Sequence, residues 1–149
     1  MPQTAAQIAY VRDQGVPLFE LDPLTLFDPE QRSEVLAELA AAVTQTLAQG
    51  SDAVLHTANT ADNRAGVRAE GERHGMVKLE VSRLISDSLA EVTARIMATT
   101  GQNRLLVAGG ETSNAVCKRL NISGLRVWKE IQPGLPSCIS LGEPPLLLV

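Results

Sequence analysis

Residues 104 to 121 read RLLVAGGETSNAVCKRLN: an apolar run, two glycines, then a carboxylate and two hydroxyls ahead of a helix-forming stretch. The spacing predicts a strand over Arg104 to Ala108 and a helix from Ser113 to Leu120, joined by a glycine corner. In parallel α/β sheets ligands sit outside the carboxyl ends of strands, where loops lead into helix N-termini. The rest of the chain decides whether that setting exists here.

Working back from the corner, Val81, Leu84, Ile85, Leu89, Val92 and Ile96 recur at helical spacing between Val77 and Thr99, with Gly101 as the stop. DAVLHTA, residues 52 to 58, reads as a strand buried on both faces. DPEQRSEVLAELAAAVTQTLAQG, residues 28 to 50, opens with Asp28 as N-cap and Pro29 at the first helical position. It lines Val35, Leu36, Leu39, Val43 and Leu47 on one face and stops at Gly50. VPLFELD, residues 16 to 22, is a short strand. TAAQIAYVRDQG before it is a helix with Ala5, Ile8, Ala9 and Arg12 on one side, closed by Gly15. The stretch NTADNRAGVRAEGERHG, residues 59 to 75, reads as a polar loop.

Beyond the corner, GLRVWKEIQPGLPSCISLGEPPLLLV is rich in Gly and Pro, with strands expected at 125 to 131 and 146 to 149. Pro133, Gly134 and Pro136 read as turn residues. Alternating strand and helix predict an α/β, three-layer sandwich with a largely parallel sheet and helices on both faces.

Composition fits one domain of that kind: 149 residues, 44% hydrophobic and 20% charged. A net charge of -4 offers no basic field from which phosphate counterions could be displaced, so nucleic acid is not an expected partner. The first ten residues, MPQTAAQIAY, lack the basic flank and apolar stretch of a signal peptide. No apolar run approaches the length of a membrane span. Cys117 and Cys138 form no CxxC pattern and read as small buried hydrophobes of a reducing, cytoplasmic compartment; a disulfide between them is the less favoured reading.

At the corner itself, Gly109 and Gly110 allow a tight turn and a close approach to the main chain, beside helix N–H groups that carry partial positive charge. Neither a GxxxxGK[ST] loop nor GxGxxG is present. Glu111 at the helix mouth repels a bare phosphate and suits Mg²⁺, a ribose hydroxyl or the amino group of a base. Thr112 or Ser113 can cap the helix. The competing reading is a tight connection followed by a capping sequence, with no ligand.

Other candidates are weaker. His56, His74 and Asp62 flank the polar stretch and can be imagined as a metal or acid/base cluster, but histidines so placed are more often surface residues. The charged runs DNR (62 to 64) and RAEGER (68 to 73) are more often solvated connections than nucleotide contacts. Trp128, the sole tryptophan, can stack on a base but more often packs in a core or interface.

The motifs LLVAGGETSNAV and ISGLRVWKEIQPGLPSCISLGEPPLLLV together resemble the C-terminal nucleotide-binding domain of the four-carbon acid sugar kinases. That family has a GG[DE]TS corner, a G-L-R-V strand, an E-I-x-P-G segment and a G-x-P-P-L-L-L strand. PQTAAQIAYV is similar to the family segment that follows a serine-bearing strand end, so the likeness runs over nearly the whole chain. It implies a kinase of two domains, one binding the acid sugar and the other ATP. Such a kinase passes the γ-phosphoryl group to the 4-hydroxyl of threonate, erythronate or oxo-tetronates. Gly109, Gly110, Glu111 and Thr112 would contact the nucleotide, with Mg²⁺ bridging its phosphates near Glu111.

Against the family pattern, the serine-bearing strand end before Pro2, the K-S-G-N-F-G stretch after the last apolar strand and the sugar domain are missing. The expectation is therefore a domain truncated at both ends, without catalysis of its own, meeting acid sugar only through a domain it does not carry. Unpaired strand edges at those ends would favour a homodimer. The alternative expectation is a catalytically inactive binding or effector protein, of a kind associated with type III secretion in some relatives.

Overall fold

The computed structural model describes residues 2–58 and 60–149. The amino-terminal half runs α1 (Pro2–Asp13), β1 (Leu18–Leu21), a 3₁₀ turn (Pro23–Phe27), α2 (Pro29–Ala48), β2 (Val54–Thr57) and α3 (Ala61–Arg73). The remainder is α4 (Lys78–Thr100), β3 (Arg104–Leu105), α5 (Gly110–Arg119), β4 (Leu125–Gln132), β5 (Leu135–Ser140) and β6 (Leu147–Leu148).

The sharpest sequence signals fold as read. Asp28 Oδ1 accepts from the N–H groups of Glu30 and Gln31 at 2.8 and 2.9 Å, satisfying two donors that the first turn of α2 leaves over. The helix then carries the chain from β1 to β2, which pair in parallel from Leu18↔Val54 to Leu21↔Thr57. Leu36, Ala40 and Val43 of α2, Leu21 of β1, Leu26 of the 3₁₀ turn, and Val92 and Ile96 of α4 form one buried cluster. β2 is half-buried along its length, so the two-faced burial expected of it is incomplete.

α4 serves two cores. Its apolar face joins that cluster, while Ala90 packs with Ala115 and Val116 of α5, flanked by Leu105, Val107 and Leu120. Its N-terminus is tied by Glu80, whose carboxylate accepts from the Val77 N–H at 2.8 Å. The second sheet has the order β3-β6-β5-β4, with β3 and β6 parallel and the other two pairings antiparallel. The architecture is the expected α/β sandwich, its parallel pairings being β1–β2 and β3–β6.

Several boundaries differ from the sequence reading, each for a local reason. The stretch read as a polar loop is helix α3, apart from its flanks; Asn59, its first residue, lies outside the described residues. Thr60 caps α3 by accepting from the Asn63 N–H at 3.1 Å, and the ion pairs Arg68–Glu72 and Arg73–Glu70 brace its exposed side. Only Val67 and Gly71 are buried in α3, so no apolar stripe announces it. Gly71 is what lets it dock: a Cβ there would meet Val81 Cγ2 at 2.6 Å.

The tail holds a hairpin where one strand was expected. Its turn is Pro133–Gly134, and Pro136 lies inside β5 opposite Glu130. Proline is tolerated there because β6 pairs only with Cys138 and Ile139, leaving β5 an edge at that height. β3 is regular for two residues instead of five, although the Val107 N–H still donates to the Val149 carbonyl at 2.9 Å.

Candidate functional site

The turn between β3 and α5 is made by Gly109, whose φ of +106° is a conformation that side chains with a Cβ rarely adopt. Gly110 is already the first residue of α5, three positions earlier than the sequence suggested. The N-cap is therefore Gly109 rather than Thr112 or Ser113, because the backbone completes its turn at the glycines. The first intrahelical bond runs from the Ser113 N–H to the Gly109 carbonyl at 2.8 Å. No side chain among the described residues caps the helix, so the N–H groups of Gly110, Glu111 and Thr112 precede the first intrahelical bond without a side-chain acceptor.

The mouth of α5 is open on one side. A Cβ built on Gly110 would meet nothing within 4 Å, whereas one on Gly109 would lie 3.8 Å from Thr112 Oγ1. The open side is thus over Gly110, and Thr112 closes the inner side. The helix dipole adds partial positive charge. Glu111 is exposed, but its Oε2 accepts a hydrogen bond from Ser82 Oγ of α4. The four residues named from sequence are brought together by one turn. Ser82, which fixes the orientation of one of them, lies 29 positions away and left no trace in the local pattern.

The remaining candidates do not join the corner. His56 lies across the β1–β2 pair from Glu20, with Nδ1 3.7 Å from its carboxylate. His74 stacks on Phe27 with ring centroids 5.5 Å apart and places Nε2 3.3 Å from Glu70. Among the described residues no group of three or more His, Cys, Asp or Glu side chains is arranged to hold a metal. Any Mg²⁺ at the corner would therefore depend on ligands from a nucleotide besides Glu111. Trp128 is 65% exposed on β4, so of the core or interface packing expected of it the core is ruled out: β4 is an edge strand, open along its length. Cys117 and Cys138 are free thiols, partly buried, and no disulfide joins them.

In α/β domains a strand end leading into a helix N-terminus is a recurrent ligand position, and comparison supplies the family. Residues 1–149 match the model of the nucleotide-binding C-terminal domain family, and the chain belongs to it. It is 35% identical over 147 residues to a 3-oxo-tetronate kinase of Cupriavidus necator and 31% identical over 146 to a 3-oxo-isoapionate kinase of Paraburkholderia graminis. Each alignment covers 97% of this chain and 31% of the relative, so the chain spans about a third of their length. The expected kinship with the C-terminal domain of four-carbon acid sugar kinases holds.

Among solved structures, a Salmonella typhimurium LT2 protein described provisionally as a tRNA synthase is 29% identical with a TM-score of 0.73. That match covers 97% of this chain and 34% of the other. A domain of unknown function from Bordetella bronchiseptica, crystallised with citrate as a domain-swapped dimer, shares the fold at 20% identity and a TM-score of 0.67. It covers 95% of this chain and 32% of that one. Among the described residues no helix is long and apolar enough to cross a membrane.

Proposed function

We propose that residues 1–149 form a nucleotide-binding domain that holds ATP, with Mg²⁺, at the Gly109–Thr112 corner. On this reading it is the ATP-binding portion of a kinase acting on four-carbon acid sugars of the threonate, erythronate or oxo-tetronate type. The observation that carries it is the uncapped mouth of α5, with open space over Gly110 in a chain of a nucleotide-binding family.

Bound MgATP supplies the phosphoryl group; the chain's own residues bind and orient. The N–H groups of Gly110, Glu111 and Thr112 donate to the phosphate oxygens without reorganisation, since the turn at Gly109 has already set them. Thr112 Oγ1 lines the inner side of the turn. Glu111 keeps one carboxylate oxygen clear of Ser82, available to a metal ion or a ribose hydroxyl. The acid sugar is met through a further domain, as the relatives' threefold greater length supports. The chain alone therefore binds nucleotide without transferring phosphate. A cytoplasmic location and self-association through the exposed β4 edge belong to the same proposal.

The experiment is a coupled kinase assay with threonate and erythronate beside an ATP-binding titration on the same preparation. Saturable binding with no turnover supports the proposal. Turnover above a heat-treated control would remove the claim that a second domain is needed, and absence of binding by folded protein would favour a binding or effector role without nucleotide.

A further inference from the structure

We infer that Ser82 is a positioning residue for the nucleotide corner: its hydroxyl holds the Glu111 carboxylate toward α4 and off the N–H groups at the mouth of α5. The inference rests on the nucleotide-binding reading above. Glu111 is the second residue of α5 and is exposed. A free carboxylate there is drawn to the same N–H groups and dipole that would receive a phosphate, and it repels the phosphate's charge. Bonding Oε2 to Ser82 removes it from that competition and leaves Oε1 outside the bond.

The anchor is well set for the task. Ser82 is partly buried in the second turn of α4, and its carbonyl accepts from Ser86 Oγ at 2.9 Å. Ser82, Ser86 and Ala90 succeed one another at four-residue intervals, hence on one face, and Ala90 packs on Ala115 and Val116. Small side chains along that face let α4 and α5 approach closely enough for a serine hydroxyl to span the gap. Ser82 thus links the packed seam to the orientation of a charged group at the open corner.

The test is a double-mutant cycle read by calorimetric titration of MgATP into the 149-residue chain, with circular dichroism and thermal melts on each variant. Ser82→Ala is expected to weaken binding about three- to tenfold, the range of one hydrogen bond. Ser82→Thr, which keeps the hydroxyl, restores it to within about twofold. In a Glu111→Gln background, where no carboxylate charge remains to be held away, Ser82→Ala changes affinity less than about twofold. If Ser82→Ala binds like the parent, or loses as much in the Glu111→Gln background as alone, Ser82 only packs the seam and the inference falls while nucleotide binding stands. A folded parent chain with no saturable binding overturns the nucleotide reading, and this inference with it.

Discussion

Ser82 of α4 donates a hydrogen bond to Glu111 of α5, joining the interior of the longest helix to the rim of the glycine corner. Below that contact, Ala90, Ala115 and Val116 close the seam between the two helices. The corner is consequently part of a packed unit, and its behaviour can be tested by changes on either side of it.

The two glycines separate cleanly. Gly109→Ala forces a Cβ into φ +106° and is expected to cost about 1–3 kcal/mol. Gly110→Ala meets open space at a helical position and should leave stability unchanged within about 1 kcal/mol or raise it. Chemical denaturation of both variants checks this. Equal losses at the two positions would contradict the assignment of the turn to Gly109.

Gly71→Ala should destabilise the protein by about 1–3 kcal/mol even though alanine is the better helix former. The new methyl would have to share space with Val81 Cγ2, 2.6 Å away. Pairing it with Val81→Ala should recover part of the loss in urea unfolding. A single variant as stable as the parent would mean that α3 does not pack on α4 in this way.

Asp28→Ala removes the acceptor for two N–H groups of α2 and is expected to cost about 1 kcal/mol, with a Tm lower by roughly 2–8 °C. Asp28→Asn should recover most of it. An unchanged melt for the alanine variant would remove the cap from the account.

Trp128→Ala should leave the stability of the dilute, monomeric chain within about 0.5 kcal/mol, and the parent's emission under those conditions should be red-shifted and readily quenched by acrylamide. The 65% exposure of that side chain is the reason. A blue-shifted, protected tryptophan would show that β4 is covered in solution.

How much of this was legible in the sequence follows from where the information sits. α2 declares itself through Asp28, Pro29 and a continuous apolar face, and α4 through six apolar residues at helical spacing. The corner's location was legible because two adjacent glycines after an apolar run have few other uses. α3 was not, because its stability comes from a cap, ion pairs and one glycine contact, none of which produces a period. The β4–β5 hairpin was hidden by Pro136, which reads as a breaker until the reach of β6 is known. The Ser82–Glu111 contact is tertiary, and no local pattern encodes it.

If the corner binds nucleotide through its main chain, calorimetric titration of MgATP must distinguish the parent chain from Gly110→Val. The parent should show saturable binding with Kd on the order of 100 µM or weaker, since Gly109 to Thr112 carry no cationic side chain to add charge-assisted hydrogen bonds. Gly110→Val, folded by circular dichroism, should show none, because its branched side chain fills the space over the helix mouth. Equal heats from the two proteins would contradict the claim and leave Gly109 and Gly110 as a turn between a strand and a helix.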